Sequence, residues 1–136
     1  MPSRDVIPRE YQRTILAAIV VVACIGLTVH VMVDGPAGDF LADALYAFLT
    51  YLLVCVVAPR ASAQVVAAVS FLVCVVIEVS QLTGAPAALA EVFPPARLIF
   101  GTTFSPLDLV AYALGAGAAL TCDLLLRRRL ASRRHR

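Results

Sequence analysis

Residues 63–82 read AQVVAAVSFLVCVVIEVSQL, twenty positions carrying one charge, Glu78. About 20 predominantly apolar residues are what an α-helix needs to cross the hydrocarbon of a bilayer. The polar positions are ordered as well: Ser70, Cys74, Glu78 and Gln81 recur at helical spacing and share one face. This segment reads as a membrane span with one polar stripe, strongest at its C-terminal end.

Three further stretches qualify on the same ground, residues 14–33, 40–58 and 107–126. Helix breakers separate them: Asp34-Gly35-Pro36-Ala37-Gly38, then Pro59-Arg60, then a long segment holding Pro86, Pro94, Pro95 and Pro106. The composition agrees. The 136 residues are 61% apolar and 15% charged, with no Trp, where soluble chains run at about 45–50% and about 25%. So small a globule could not hide that much apolar surface from water. The expected fold is all-α: a polytopic membrane protein of four helices (14–33, 40–58, 63–82 and 107–126). The 14–126 domain would carry an outer loop, 83–106, with short segments 1–13 and 127–136 at its ends. Residues 14–33 are read as a span rather than a cleaved signal, because the apolar run is long and no Ala-x-Ala site follows.

All eleven basic residues are arginines, and they give the orientation. Arg4, Arg9 and Arg13 precede the first span. Arg60 lies between the second and third, and Arg127, Arg128, Arg129, Arg133, Arg134 and Arg136 follow the fourth. Ten therefore fall on one side, leaving only Arg97 on the other. Both termini are expected in the cytoplasm, with the 34–39 turn and the 83–106 segment outside. The arginine tail reads as a topology anchor that touches anionic lipid headgroups, and no nucleic-acid role is expected.

Cys24, Cys55, Cys74 and Cys122 fall inside the spans without Cys-x-x-Cys spacing and read as packing residues. Two histidines do not make a conventional zinc site, and no phosphate loop or nucleophile elbow is present. No cofactor is implied.

A carboxylate at the centre of a membrane helix costs about 2.5–3.5 kcal/mol on the insertion scale, so each one needs a reason. Asp43, Glu78 and Asp108 all fall within about 6 Å of the outer interface at 1.5 Å of rise per residue. Asp39, Asp43, Tyr46 and Thr50 share a face of the second span. Asp108, Tyr112, Gly115 and Ala119 do so on the fourth, and Gly26, His30 and Asp34 on the first. If these faces converge, several acidic groups meet in a shallow pocket open to the outside. Crowded like charges at low dielectric call for a compensating cation. Arg97 is the chain's one candidate on that side, a potential bidentate partner for Asp43, Glu78 or Asp108. Asp123, beside the arginines, is expected in a simple ion pair or headgroup contact. The 83–106 segment is long for a connection and apolar, so it reads as a lid in the interface, with a short helix near Pro86–Phe93.

These residues also carry a resemblance. Asp43-Ala44-Leu45-Tyr46, Ile77-Glu78-Val79-Ser80-Gln81-Leu82, Arg97, and the run from Phe100 through Ser105-Pro106-Leu107-Asp108 to Tyr112 and Gly115 resemble a family of small bacterial membrane proteins of unknown function. That family is similar to the VanZ-like group, some members of which are linked to glycopeptide (teicoplanin) resistance. The resemblance spans roughly residues 38–117. Family members commonly have Gly before the aspartate of the second helix. Here Ala42 precedes Asp43 and Gly38-Asp39 stands one turn earlier, but the following Leu45-Tyr46 favours Asp43. The resemblance implies a four-helix protein of the bacterial cytoplasmic membrane with a polar cluster, and supplies no reaction.

Four functions compete. The first is a binding module for an envelope lipid headgroup, a precursor, a glycopeptide-related ligand or a cationic small molecule, through Asp43, Tyr46, Glu78, Gln81, Arg97, Asp108 and Tyr112. The second is an enzyme on a lipid-linked substrate, which lacks a visible nucleophile with an adjacent base. The third is a transporter, although the carboxylates are shallow and transport sites tend to lie near the midplane. The fourth is an accessory subunit whose small-residue faces pack on a larger membrane partner or a second copy. The binding module is the expected reading.

Overall fold

The computed structural model describes residues 9–134 as six helices with no strand among them: α1 (Arg9–Met32), α2 (Pro36–Val57), α3 (Ala63–Gln81), α4 (Ala85–Val92), α5 (Ala96–Phe100) and α6 (Pro106–Arg134). Helices α1, α2, α3 and α6 are long and apolar enough to cross a membrane. The chain is therefore an all-α, four-span bundle, and α4 and α5 lie in the segment between the third and fourth spans. Below, "outer" denotes the end of the bundle that the arginine count assigns to the outside.

The spans end where the sequence supplies stops. Pro36 opens α2, whose first turn needs no N–H from that position. Ser62 caps α3 by accepting a hydrogen bond from the Val65 amide at 3.3 Å. Two ends differ from the hydropathy reading. Helix α1 starts at Arg9 rather than 14, and α6 runs to Arg134 rather than 126. Apolarity marks where a helix is in lipid, not where its hydrogen bonding stops. At 29 residues α6 is about 43 Å long and overshoots a hydrocarbon core of about 30 Å. The short helix expected near Pro86–Phe93 is α4, and α5 is an addition to it. Arg4 and Arg136, counted for orientation, lie outside the described residues.

Helices α2 and α6 form the most extensive interface and make the short diagonal of the bundle; α1 packs chiefly on α2, and α3 packs on both. Gly115 explains the intimacy of that diagonal. A Cβ there would collide with the backbone carbonyl of Ala44, so only glycine permits this approach. Toward the inner end Tyr11, Ile15, Tyr51, Leu52, Cys55, Val66 and Ala119 make one buried cluster. Toward the outer end Ala47, Cys74 and Tyr112 make a second. The remaining large apolar side chains, such as Val20, Val31, Leu72 and Leu114, face outward, as lipid-bathed positions should.

Candidate functional site

On α3 the face read from spacing turns inward: Ser70, Cys74 and Glu78 are all buried. Glu78 is fully enclosed, with 0% exposure, and is surrounded by donors. Its Oε1 accepts the Ser105 amide at 2.6 Å, and its Oε2 accepts the Tyr112 hydroxyl at 3.0 Å and the Gln81 Nε2 at 3.3 Å. The side chain ties α3 to α6 and to the turn that precedes α6. A buried carboxylate is tolerated when its acceptors are engaged in this way.

Helix α5 is held down on this seam by its carbonyls. The Tyr46 hydroxyl donates to the Ile99 carbonyl and the Gln81 Nε2 to the Phe100 carbonyl, each at 2.8 Å. Gly101, with φ of 62°, lets the chain turn away immediately afterwards. A Cβ there would also meet the Gln81 Nε2 at 2.6 Å, so the glycine is required twice over. The Tyr46 and Tyr112 rings stand 6.4 Å apart at a tilt of 52°, which is attractive aromatic geometry.

Beside the seam lies a cavity of about 370 Å³, within the size range of small-molecule sites. Its walls are chemically divided. Val22 and Leu27 of α1 with Leu45 and Leu49 of α2 contribute apolar surface, while Asp43 and Asp108 contribute carboxylates. The two residues line it together, and both are partly exposed. Tyr46, Gln81, Tyr112 and His30 also reach the wall, and α5 covers it with Arg97 to Gly101.

All seven residues singled out in the sequence therefore meet at one end of the bundle, but in two layers. Asp43, Tyr46, Gln81, Arg97, Asp108 and Tyr112 line the cavity. Glu78 stands behind the wall, bound to Tyr112 and Gln81. The expected pairing of Arg97 with a carboxylate is absent: the one ion pair among the described residues is Arg127 with Asp123. The reason is that α5 presents its carbonyls to the bundle, leaving the Arg97 side chain exposed at the cavity rim. Asp39 is exposed, and Thr50 donates to the Tyr46 carbonyl of its own helix at 2.9 Å.

At the opposite end is a polar cluster that the sequence reading underestimated. Asp123 is only 4% exposed. Its Oδ1 accepts the Tyr11 hydroxyl at 2.8 Å and its Oδ2 the Tyr51 hydroxyl at 2.7 Å, while the Arg127 Nε lies 3.0 Å from both oxygens. Arg127 also donates to the Tyr11 hydroxyl at 3.0 Å, and its guanidinium sits over the Tyr11 ring at 5.2 Å. In place of a simple ion pair there is a clasp joining α1, α2 and α6. The available signal was an aspartate one helical turn before an arginine, inside an otherwise apolar helix.

Fold and site together define a multi-pass helical membrane protein with a roofed cavity, part apolar and part carboxylate-lined, at one end and a buried clasp at the other. Residues 32–116, more than half of the chain, match the family model described as Protein of unknown function (DUF2809), and the chain belongs to that family. The matched region contains the whole outer seam and most of the cavity wall. No curated protein and no solved structure matches the chain.

Proposed function

We propose that this protein is a membrane-embedded binding protein whose outer cavity receives the polar end of an amphiphile, with part of the apolar chain lying against α1 and α2. The observation that carries this reading is the divided wall of the cavity, Val22, Leu27, Leu45 and Leu49 on one part and Asp43, Asp108 and Arg97 on the other. A polar molecule without an apolar part would leave most of the wall unsatisfied, and a plain hydrocarbon would bury carboxylates against itself. The resemblance to the VanZ-like group, together with the arginine count that assigns both termini to the cytoplasm, supports a place in the bacterial cytoplasmic membrane with the cavity facing the envelope. An envelope lipid, a lipid-linked precursor or a glycopeptide-related ligand is the class of occupant this implies.

The test is native mass spectrometry and thermal denaturation of the purified full chain with a panel of bacterial lipids. Stoichiometric retention of a lipid, lost when Leu45 and Leu49 are replaced by Gln, is the expected result. An accessory role has one observation in its favour. Gly117 on α6 is exposed and a Cβ there would meet nothing, so a partner helix has room to approach that face. Co-purification of a defined membrane partner, with no lipid retained, would favour this second reading.

A further inference from the structure

The hydrogen-bonding inventory of the outer seam is one-sided. Apart from His30 and Thr103 of the cavity wall, its neutral donors are already engaged: the Tyr46 hydroxyl on the Ile99 carbonyl, the Tyr112 hydroxyl on Glu78, the Ser105 amide on Glu78, and the Gln81 Nε2 on Phe100 and Glu78. The acceptors are not. Asp43 and Asp108 line the cavity with no ion-pair partner among the described residues, and Gln81, which also lines it, has a buried Oε1 with no hydrogen-bond partner among them. A buried acceptor left open, as the Gln81 Oε1 is, is rare and costly, and two partly exposed carboxylates on one wall repel each other. The missing component is a group with several N–H donors and a positive charge. Arg97 gives the second coordinate. It is the cavity's guanidinium, exposed at the rim and unpaired among the described residues, and guanidinium groups suit phosphate.

Resting on the amphiphile reading above, we infer that the occupant's head is a primary ammonium joined to a phosphate, as in phosphatidylethanolamine. The ammonium lies between Asp43 and Asp108, the phosphate meets Arg97, and the acyl chains leave along the apolar wall. A primary ammonium brings three donors to the open acceptors, whereas a trimethylammonium brings charge and no donor. The head of phosphatidylglycerol brings neither the charge nor the repulsion relief. Free phosphoethanolamine has the right head but no use for Val22, Leu27, Leu45 and Leu49.

The experiment is competitive native mass spectrometry on the delipidated full chain, with phosphatidylethanolamine, phosphatidylcholine and phosphatidylglycerol of identical acyl chains, and free phosphoethanolamine as a fourth arm. Phosphatidylethanolamine is expected to be retained about tenfold or more over either other lipid, the discrimination that one charge-assisted hydrogen-bond set provides. The free head should not bind measurably. In the double variant Asp43→Asn/Asp108→Asn, retention should fall to the phosphatidylglycerol level, while Glu91→Gln on exposed α4 leaves it unchanged. Equal retention of all three lipids overturns the ammonium assignment and leaves the amphiphile reading standing. Binding of the free head as tight as that of the lipid overturns the apolar half of the site. Retention of no lipid overturns both. The comparison among lipids uses the unaltered protein, so it decides the question even if the double variant does not fold.

Discussion

The Tyr112 hydroxyl and the Glu78 carboxylate, both buried and on different helices, are joined at 3.0 Å, and this bond separates the cavity wall from the scaffold behind it. Tyr112 shows its ring to the cavity and its oxygen to Glu78, so the residue that lines the site is held by one that does not. Tyr112→Phe should therefore destabilise the bundle by about 1–2 kcal/mol, since a buried carboxylate oxygen loses the shorter of its two hydrogen bonds. Unfolding by a denaturing detergent, followed by circular dichroism, measures this, and an unchanged midpoint would contradict the role given to the bond.

Gly115 and Gly117 sit two positions apart on α6 and should respond oppositely. Gly115→Val drives a side chain into the Ala44 carbonyl and must separate α2 from α6, so monodisperse protein should be lost in size-exclusion chromatography. Gly117→Ala enters open space and should be neutral or slightly stabilising, because alanine is the better helix former. Equal tolerance of both would mean that the central diagonal is looser than described.

At the clasp, Arg127→Gln removes the cation and leaves Asp123 buried beside two hydroxyls. It should cost about 1–3 kcal/mol. Adding Asp123→Asn removes the orphaned charge, so the double variant should be more stable than Arg127→Gln alone. A double-mutant cycle in the same unfolding assay reads the sign directly; strict additivity would show that the two groups do not act as a pair.

Cysteine labelling reports the packing without any substitution. Cys24 and Cys122 are exposed on the lipid-facing surface and Cys55 and Cys74 are buried. A membrane-permeant maleimide should add two labels to the folded protein and four after denaturation, counted by intact mass. Four labels on the folded protein would rule out the burial of Cys55 and Cys74.

Orientation has its own test. On intact cells an impermeant maleimide should modify Glu91→Cys, on α4, and spare Arg133→Cys, near the end of α6. The reverse pattern would invert the side to which the cavity opens.

Much of this molecule was legible in the chain, because hydropathy and helical period are local properties. The four spans, the inward faces of α2, α3 and α6, and the gathering of Asp43, Glu78 and Asp108 at one end follow from spacing alone. What spacing does not carry is direction within the cluster. Glu78 and Asp43 look equivalent by depth, yet Glu78 turns to the Ser105 amide and Asp43 to the cavity, a difference set by the path of the chain between Gly101 and Pro106. Arg97 was expected to meet a carboxylate because charges attract. The carbonyls of α5 instead took the inward positions, through Tyr46 and Gln81. The clasp escaped notice because Tyr11 lies before the apolar run and Tyr51 carries no charge to single it out.

The clasp also bears on how the protein is made. Its partners Tyr11 and Asp123 are 112 positions apart, so among the described spans α1 reaches its carboxylate acceptor only once α6 is inserted. A chain truncated before α6 would leave the Tyr11 and Tyr51 hydroxyls only the weaker Cys55 and Ala63 acceptors, along with an α1 that has few other buried residues. The bond thus couples two distant spans: α1 gains its charged buried partner only where α6 is in place.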